Sequence, residues 1–174
     1  GVKRQRRLVG GKRQRTKDMK TLLVIGGGIE AIPGVQLAKE MGLHVVVSDM
    51  NADAPCMALA DDTLIASTYD IDSTVQQARE YHEQIRRLDG VMCIATDVPL
   101  TVATVAAELG LPGIPIEAAR LASDKLLMKD KFAADGIPIP WYSAVSDPRH
   151  LAEIVTERGT DLVIKPADSR GSRG

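Results

Sequence analysis

From Thr21 onward, short apolar runs alternate with longer stretches of helical spacing. Leu22–Ile25 is a continuous apolar run ending in glycines, the pattern of a strand buried on both faces. Over Glu30–Met41, apolar Ile32, Val35, Leu37, Ala38 and Met41 recur at helical spacing. His44–Ser48 reads as a second strand and Thr63–Ala66 as a short third. Ser73 with Gln76 predicts a capping box that opens a helix running to Leu88. Val91–Ala95 reads as a fourth strand. Thr96-Asp97-Val98-Pro99 starts a helix that ends at Gly110, and Ile114–Ile116 reads as a short fifth strand. The pairs Gly42-Leu43, Gly110-Leu111 and Gly136-Ile137 each have the form of a helix C-cap, a glycine followed by an apolar residue.

This strand–helix alternation predicts an α/β fold, a Rossmann-like doubly wound parallel sheet with helices on both faces. The rhythm changes around Glu117–Ser123. A helix is expected from Ser123 or Asp124 to Asp135, then a strand over Ile139–Val145. Asp147-Pro148 opens a further helix to about Glu157, with proline at its first position. Leu162–Lys165 reads as a last strand. The expected organisation is a basic tail over 1–18, a doubly wound domain over 19–117 and the start of an α+β domain over 118–174.

Composition limits the function classes. The chain has 174 residues, 44% hydrophobic but only 3% aromatic, so its core is aliphatic. No apolar run is long enough to cross a bilayer, and no apolar leader core follows the basic start. Cys56 and Cys93 lack metal-ligand spacing and read as free thiols of a reducing cytoplasm. Residues 1–20 carry a net charge of +8 and the remainder −9. The tail, with its repeated Lys-Arg-Gln-Arg, is expected to be disordered and to lie outside the natural protein. Its other reading is a nucleic-acid or targeting patch. Nucleic acid is not an expected partner of the acidic body.

The first chemical motif is Gly26-Gly27-Gly28-Ile29-Glu30-Ala31 at a strand-to-helix turn. Such glycines let backbone N–H groups approach an anion at a helix N-terminus. Asp49, about twenty residues on, is placed to hold a ribose hydroxyl in a dinucleotide site. A tight βα corner uses the same residues without a ligand. The second motif comes in two parts: Ser123-Asp124-Lys125, then Lys165-Pro166 followed by Asp168-Ser169-Arg170-Gly171-Ser172-Arg173-Gly174. A polyphosphate needs dispersed positive charge and a backbone able to come close, which lysines and a Gly/Ser loop supply. The loop is not a Walker sequence. A solvated lysine face and a flexible linker are the plain alternatives. His44, His82 and His150 show no partners at useful spacing. Asp97, at the carboxyl edge of the sheet, is read as capping the next helix.

Thr21–Gly28, Ala60-Asp61-Asp62, Ser123-Asp124-Lys125 and Val163–Gly174 stand in the order found in ATP-grasp ligases. From about Met19 to Gly174 the chain resembles the N-terminal part of those enzymes, similar to carbamoyl-phosphate synthetases, biotin carboxylases and glycinamide-ribonucleotide-type ligases. The resemblance implies a Rossmann-like preATP-grasp domain followed by the beginning of an ATP-grasp lid. It implies that Lys125 and Lys165 hold ATP phosphates, and that Ser169, Arg170, Gly171, Ser172, Arg173 and Gly174 close over the β- and γ-phosphates. It implies activation of a carboxylate or bicarbonate as an acyl phosphate, with Mg2+ on the phosphates, for attack by an amine. Gly26, Gly27, Gly28, Glu30 and Asp49 fall on the acceptor-substrate side, and a homodimer is the suggested assembly. The family's adenine contacts and Mg2+ ligands lie beyond the glycine loop, so no metal ligand is assigned within this chain. The 174 residues alone are expected to be inactive and to bind ATP poorly. The alternative is an NAD(P)-dependent oxidoreductase or a nucleotide-sensing domain, which uses the Gly26–Asp49 motif and leaves Lys125 and Lys165 idle.

If the tail carries nucleic-acid affinity, deleting residues 1–18 will abolish salt-sensitive DNA binding. Retention of that binding in a gel-shift assay would place it on the acidic body instead.

Overall fold

The computed structural model describes residues 19–168; the basic tail and the loop from Ser169 to Gly174 lie outside the described residues. The chain divides into two compact units, one ending at Gly113 and the other beginning at Ile114. Each is described by itself.

The first unit is a four-stranded parallel sheet. Its strands are β1 (Thr21–Ile25), β2 (His44–Asp49), β3 (Asp62–Ile65) and β4 (Gly90–Cys93), in the order β3-β2-β1-β4. β1 is central, pairing Leu23 with Val46 on one side and with Val91 on the other. Side chains alternate across each strand and divide between two cores. Val24, Val45 and Val47 meet helix α1 (Ile32–Glu40) through Val35 and Ala38, together with Ala54, Cys56 and Met57. Leu23, Ile25 and Val46 meet Ala78 and Tyr81 of α2 (Ile71–Gln84), Leu88, and Val105 of α3 (Pro99–Glu108). Burying each such aliphatic side chain contributes about 1.5–3 kcal/mol before entropy is counted.

The glycine C-caps form as the sequence predicts. Leu43, Leu111 and Ile137 donate N–H bonds of 3.1, 2.8 and 2.9 Å to Ala38, Ala106 and Phe132, and each preceding glycine has positive φ. The Ser73–Gln76 capping box does not form. Asp70 caps α2 instead, accepting the Ser73 N–H at 3.0 Å, so the helix begins earlier. A carboxylate satisfies the orphan donor and also suits the positive helix end. α3 starts at Pro99, and Val98 rather than Asp97 stands at its N-cap position.

The second unit contains α4 (Ile116–Ser123), α5 (Lys125–Ala134) and α6 (Pro148–Arg158). Neither Ile114–Ile116, Ile139–Val145 nor Leu162–Lys165 forms a strand. Ile116 opens α4, which the sequence reading did not anticipate. Over the other two segments no strand forms: a β-branched run becomes a strand only against a partner ladder, and none pairs with them among the described residues. The segment after α5 is held by side chains instead. The Lys129 ammonium lies 5.1 Å from the Tyr142 ring centre, and the Arg158 guanidinium 4.7 Å from that of Trp141. The Tyr142 hydroxyl donates to Asp130.

At the amino edge of the sheet, His44, Asp62 and Tyr81 meet. The Tyr81 hydroxyl donates to Asp62 at 2.6 Å, and His44 Nε2 lies 2.7 Å from the same oxygen. The Tyr81 bond holds the Asp62 carboxyl below its ordinary range against the opposing effect of burial, with His44 adding to it. Burial and Asp62 push the Tyr81 hydroxyl up. A depressed carboxyl stabilises the fold above its unfolded pKa, and that stability is lost as pH falls through the folded value. Tyr81→Phe is therefore expected to cost about 1 kcal/mol near neutral pH and to shift the acid limb of unfolding to higher pH. Circular dichroism melts between neutral pH and the carboxylate range test both effects.

Candidate functional site

The chain leaves β1 for β2 and β3 on one side, and β4 lies on the other. The strand order therefore reverses at the carboxyl ends of β1 and β4, where open α/β sheets form their ligand crevice. The glycine turn occupies this point. Gly26 has φ of 94°, and a Cβ there would lie 2.7 Å from Thr96 Oγ1. Glycine is thus required twice, for the left-handed backbone and for the close approach of Thr96.

Asp49, at the end of β2, secures the turn. One carboxylate oxygen accepts the Gly27 N–H at 2.7 Å and the other the Asn51 N–H at 2.9 Å. Cys56 closes the opposite side: its N–H donates to the Gly27 carbonyl at 3.0 Å, and its Sγ to the Gly28 carbonyl at 3.3 Å. Burial, then the charge of Asp49, pushes the Cys56 thiol up, so it is a packing group rather than a nucleophile. The Glu30 carboxylate lies over Gly28, with Oε2 3.1 Å from where a Gly28 Cβ would stand. Gly26, Gly27, Gly28, Glu30 and Asp49 therefore gather at one edge. Asp49 serves this edge by fixing the turn, with an oxygen committed to each of two backbone donors.

Thr96 and Ala95 were not singled out by the sequence motifs. Ala95 has φ of 54°, uncommon for a residue with a Cβ, and it places Thr96 against Gly26. The available signal was positional, since both follow β4 at the reversal of strand order.

In the second unit the two parts of the basic motif come together. The Asp124 side chain caps α5, accepting the Leu126 and Leu127 N–H groups at 2.7 and 3.0 Å. That puts Lys125 at the first helical position. Its backbone N–H donates to the Ala167 carbonyl at 3.0 Å, and its Nζ to the Pro166 carbonyl at 2.9 Å. Residues forty-one apart are thus joined at the root of the glycine-rich segment. Lys165 is exposed beside them. Ser169, Arg170, Gly171, Ser172, Arg173 and Gly174 lie outside the described residues. Among the described residues no three acidic, histidine or cysteine side chains converge to hold a metal ion, and no helix is long and apolar enough to span a membrane.

Residues 35–113 match the family described as the ATP-grasp N-terminal domain. Over that stretch the chain is similar to ATP-grasp N-terminal domains. It is 28% identical over 178 aligned residues to the carbamoyl phosphate synthase large chain of Methanosarcina mazei, covering 91% of this chain and 16% of that one. It is similar in structure to the phosphoribosylglycinamide synthetase of Anaerococcus prevotii, with a TM-score of 0.64, 26% identity, and coverage of 80% of this chain and 35% of the other. The N5-carboxyaminoimidazole synthetase of Staphylococcus aureus, solved with ADP, shares the fold with a TM-score of 0.64 at 20% identity, covering 87% of this chain and 39% of the other. The chain thus spans well under half the length of each of these relatives.

Gly26→Ala is expected to cost about 2–3 kcal/mol, combining positive φ with the Thr96 contact. Gly42→Ala, where a Cβ meets open space, is expected to cost only about 1–2 kcal/mol. Equal losses in urea melts would mean that Thr96 does not constrain the turn.

Proposed function

We propose that this chain is part of an ATP-dependent ligase that activates a carboxylate or bicarbonate. In this reading a carboxylate oxygen attacks the γ-phosphorus of ATP and ADP leaves. An amine nitrogen then attacks the acyl carbon and phosphate leaves. Lys125 and Lys165 neutralise phosphate charge, and Ser169–Gly174 cover the β- and γ-phosphates with backbone donors. The turn at Gly26–Gly28, with Glu30, Asp49 and Thr96, shapes the acceptor-substrate side. The protein's contribution is mainly positioning and charge neutralisation.

One observation carries this reading: Lys125 is bonded to Pro166 and Ala167, directly after Lys165. Two lysines thus stand by the residues that precede the Gly/Ser-rich sequence, and a polyphosphate requires such dispersed positive charge. Mg2+ would neutralise the transferring phosphoryl group further. The described residues do not fit a magnesium site, because Asp168 alone lacks the oxygen ligands that hold the ion, and no step is assigned to it. A cytoplasmic homodimer belongs to the same proposal.

Titration of the purified 174-residue chain, followed by the fluorescence of its single Trp141, tests the reading. ATP is expected to bind weakly, with a Kd of about 1 mM, and Lys125→Met or Lys165→Met to weaken it about tenfold. No turnover is expected with a carboxylate and an amine. NADH binding near 1 μM without ATP binding would favour the oxidoreductase reading instead.

A further inference from the structure

Three connections at the carboxyl edge of the sheet expose large apolar side chains. Ile29, Met50 and Tyr69 are 66%, 70% and 72% exposed, and they follow β1, β2 and β3 in turn. β2 lies between β1 and β3, so the outer two loops stand about 10 Å apart, within reach of one small molecule. The Tyr69 ring is bare, yet the backbone around it is pinned. The Asp70 N–H donates to the Ser67 carbonyl at 3.0 Å. From α2 the buried Thr74 hydroxyl donates to that carbonyl at 3.0 Å, and from α3 the buried Thr101 hydroxyl donates to the Thr68 carbonyl at 2.8 Å. A ring presented on a pinned loop loses little freedom when a ligand covers it. Thr101 also ties this loop to the crevice, because α3 starts at Pro99, three residues after Thr96, and Thr96 lies against Gly26.

The side-chain charges at this edge are all negative. Residues 26–31, 49–54, 66–70 and 94–98 hold five acids (Glu30, Asp49, Asp53, Asp70 and Asp97) and no Lys, Arg or His. Asp49 and Asp70 already accept backbone N–H bonds. The Glu30 carboxylate and the Thr96 hydroxyl have no hydrogen-bond partner among the described residues. They stand at the third and first glycines of one turn, at most about 7 Å apart along the chain.

We propose that this edge takes an amine with an apolar or aromatic body, and that Tyr69 selects it. The ammonium donates to Glu30 and Thr96. The body is covered by the Tyr69 ring on one side and by Ile29 and Met50 on the other. A carboxylate is the stronger acceptor for such a cation, and an aromatic ring with two aliphatic chains suits the body. The inference rests on the reading of this edge as the acceptor-substrate side. It adds the chemistry of the part of the acceptor that lies here, and a contact residue that no motif singled out.

Amide chemical-shift mapping of the full chain, with phenethylamine as the probe, tests this. Shifts are expected at Gly26–Gly28, Tyr69 and Thr96, with a Kd of about 1 mM. Ethylamine, which lacks the body, and N-acetylphenethylamine, which lacks the charge, should each bind about tenfold more weakly. Tyr69→Ala should weaken phenethylamine about tenfold and Tyr69→Phe should leave it unchanged, since the ring makes the contact. Glu30→Gln should also cost about tenfold. Phenethylamine bound at the glycine turn with the same affinity in Tyr69→Ala, or no tighter than ethylamine, would overturn the selection by Tyr69 while leaving the acceptor side in place. Shifts confined to other parts of the chain, or none at all, would remove the acceptor reading of this edge and the inference with it.

Discussion

The geometry of the first unit depends on one carboxylate, that of Asp49, bonded to the Gly27 N–H. β1 is saturated with parallel ladder bonds on both sides, and it must then turn sharply into the next element. A buried N–H at such a turn is costly to leave unpaired. Asp49 supplies the acceptor at the end of the neighbouring strand, and Cys56 ties down the carbonyls on the other side. With the turn fixed, Gly26 can take its left-handed backbone beneath Thr96, and the crevice at the strand-order reversal acquires a definite shape. A carboxylate that would hold a ribose in a dinucleotide site is used here to build the floor of the edge.

The second unit has a different balance. Its buried apolar residues among those described are Ala119 and Ile154. Val163 and Ile164 are 80% and 63% exposed. With so little apolar burial, local polar contacts decide where the chain lies, and regions of this kind open most readily. The bonds from Lys125 to residues 166 and 167, the Arg158–Trp141 stack and the Lys129–Tyr142 contact are what place its loops.

Strand and helix identities in the first unit were legible because two cores impose strict periodicity on β1, β2, α1 and α2. The glycine C-caps were legible for a similar reason, since the Schellman geometry excludes most side chains at one position. The α2 cap was misread because Asp70 and Ser73 both offer an oxygen, and spacing cannot choose between them. Ile139–Val145 and Leu162–Lys165 were misread as strands because β propensity reports fit to a sheet that must be supplied by other residues. The histidines illustrate a further limit. His44 lacks a partner nearby in sequence, yet the β2–β3 register and α2 bring Asp62 and Tyr81 to it. The meeting of Lys125 with Pro166–Ala167 was implied only by motif order; the bonding of the ammonium to carbonyls was not legible, since it depends on where the later segment returns to the helix.

We propose that nucleotide phosphates belong to the Lys125–Lys165 locality and that the Gly26–Gly28 turn faces another substrate. Amide chemical-shift mapping of the full chain during titration with ATP and Mg2+ tests this most directly. The account predicts shifts concentrated at Lys125, Lys165 and residues 166–168, with the glycine turn and Asp49 little changed. Shifts concentrated at Gly26–Gly28 and Asp49, with Lys125 unmoved, would contradict it.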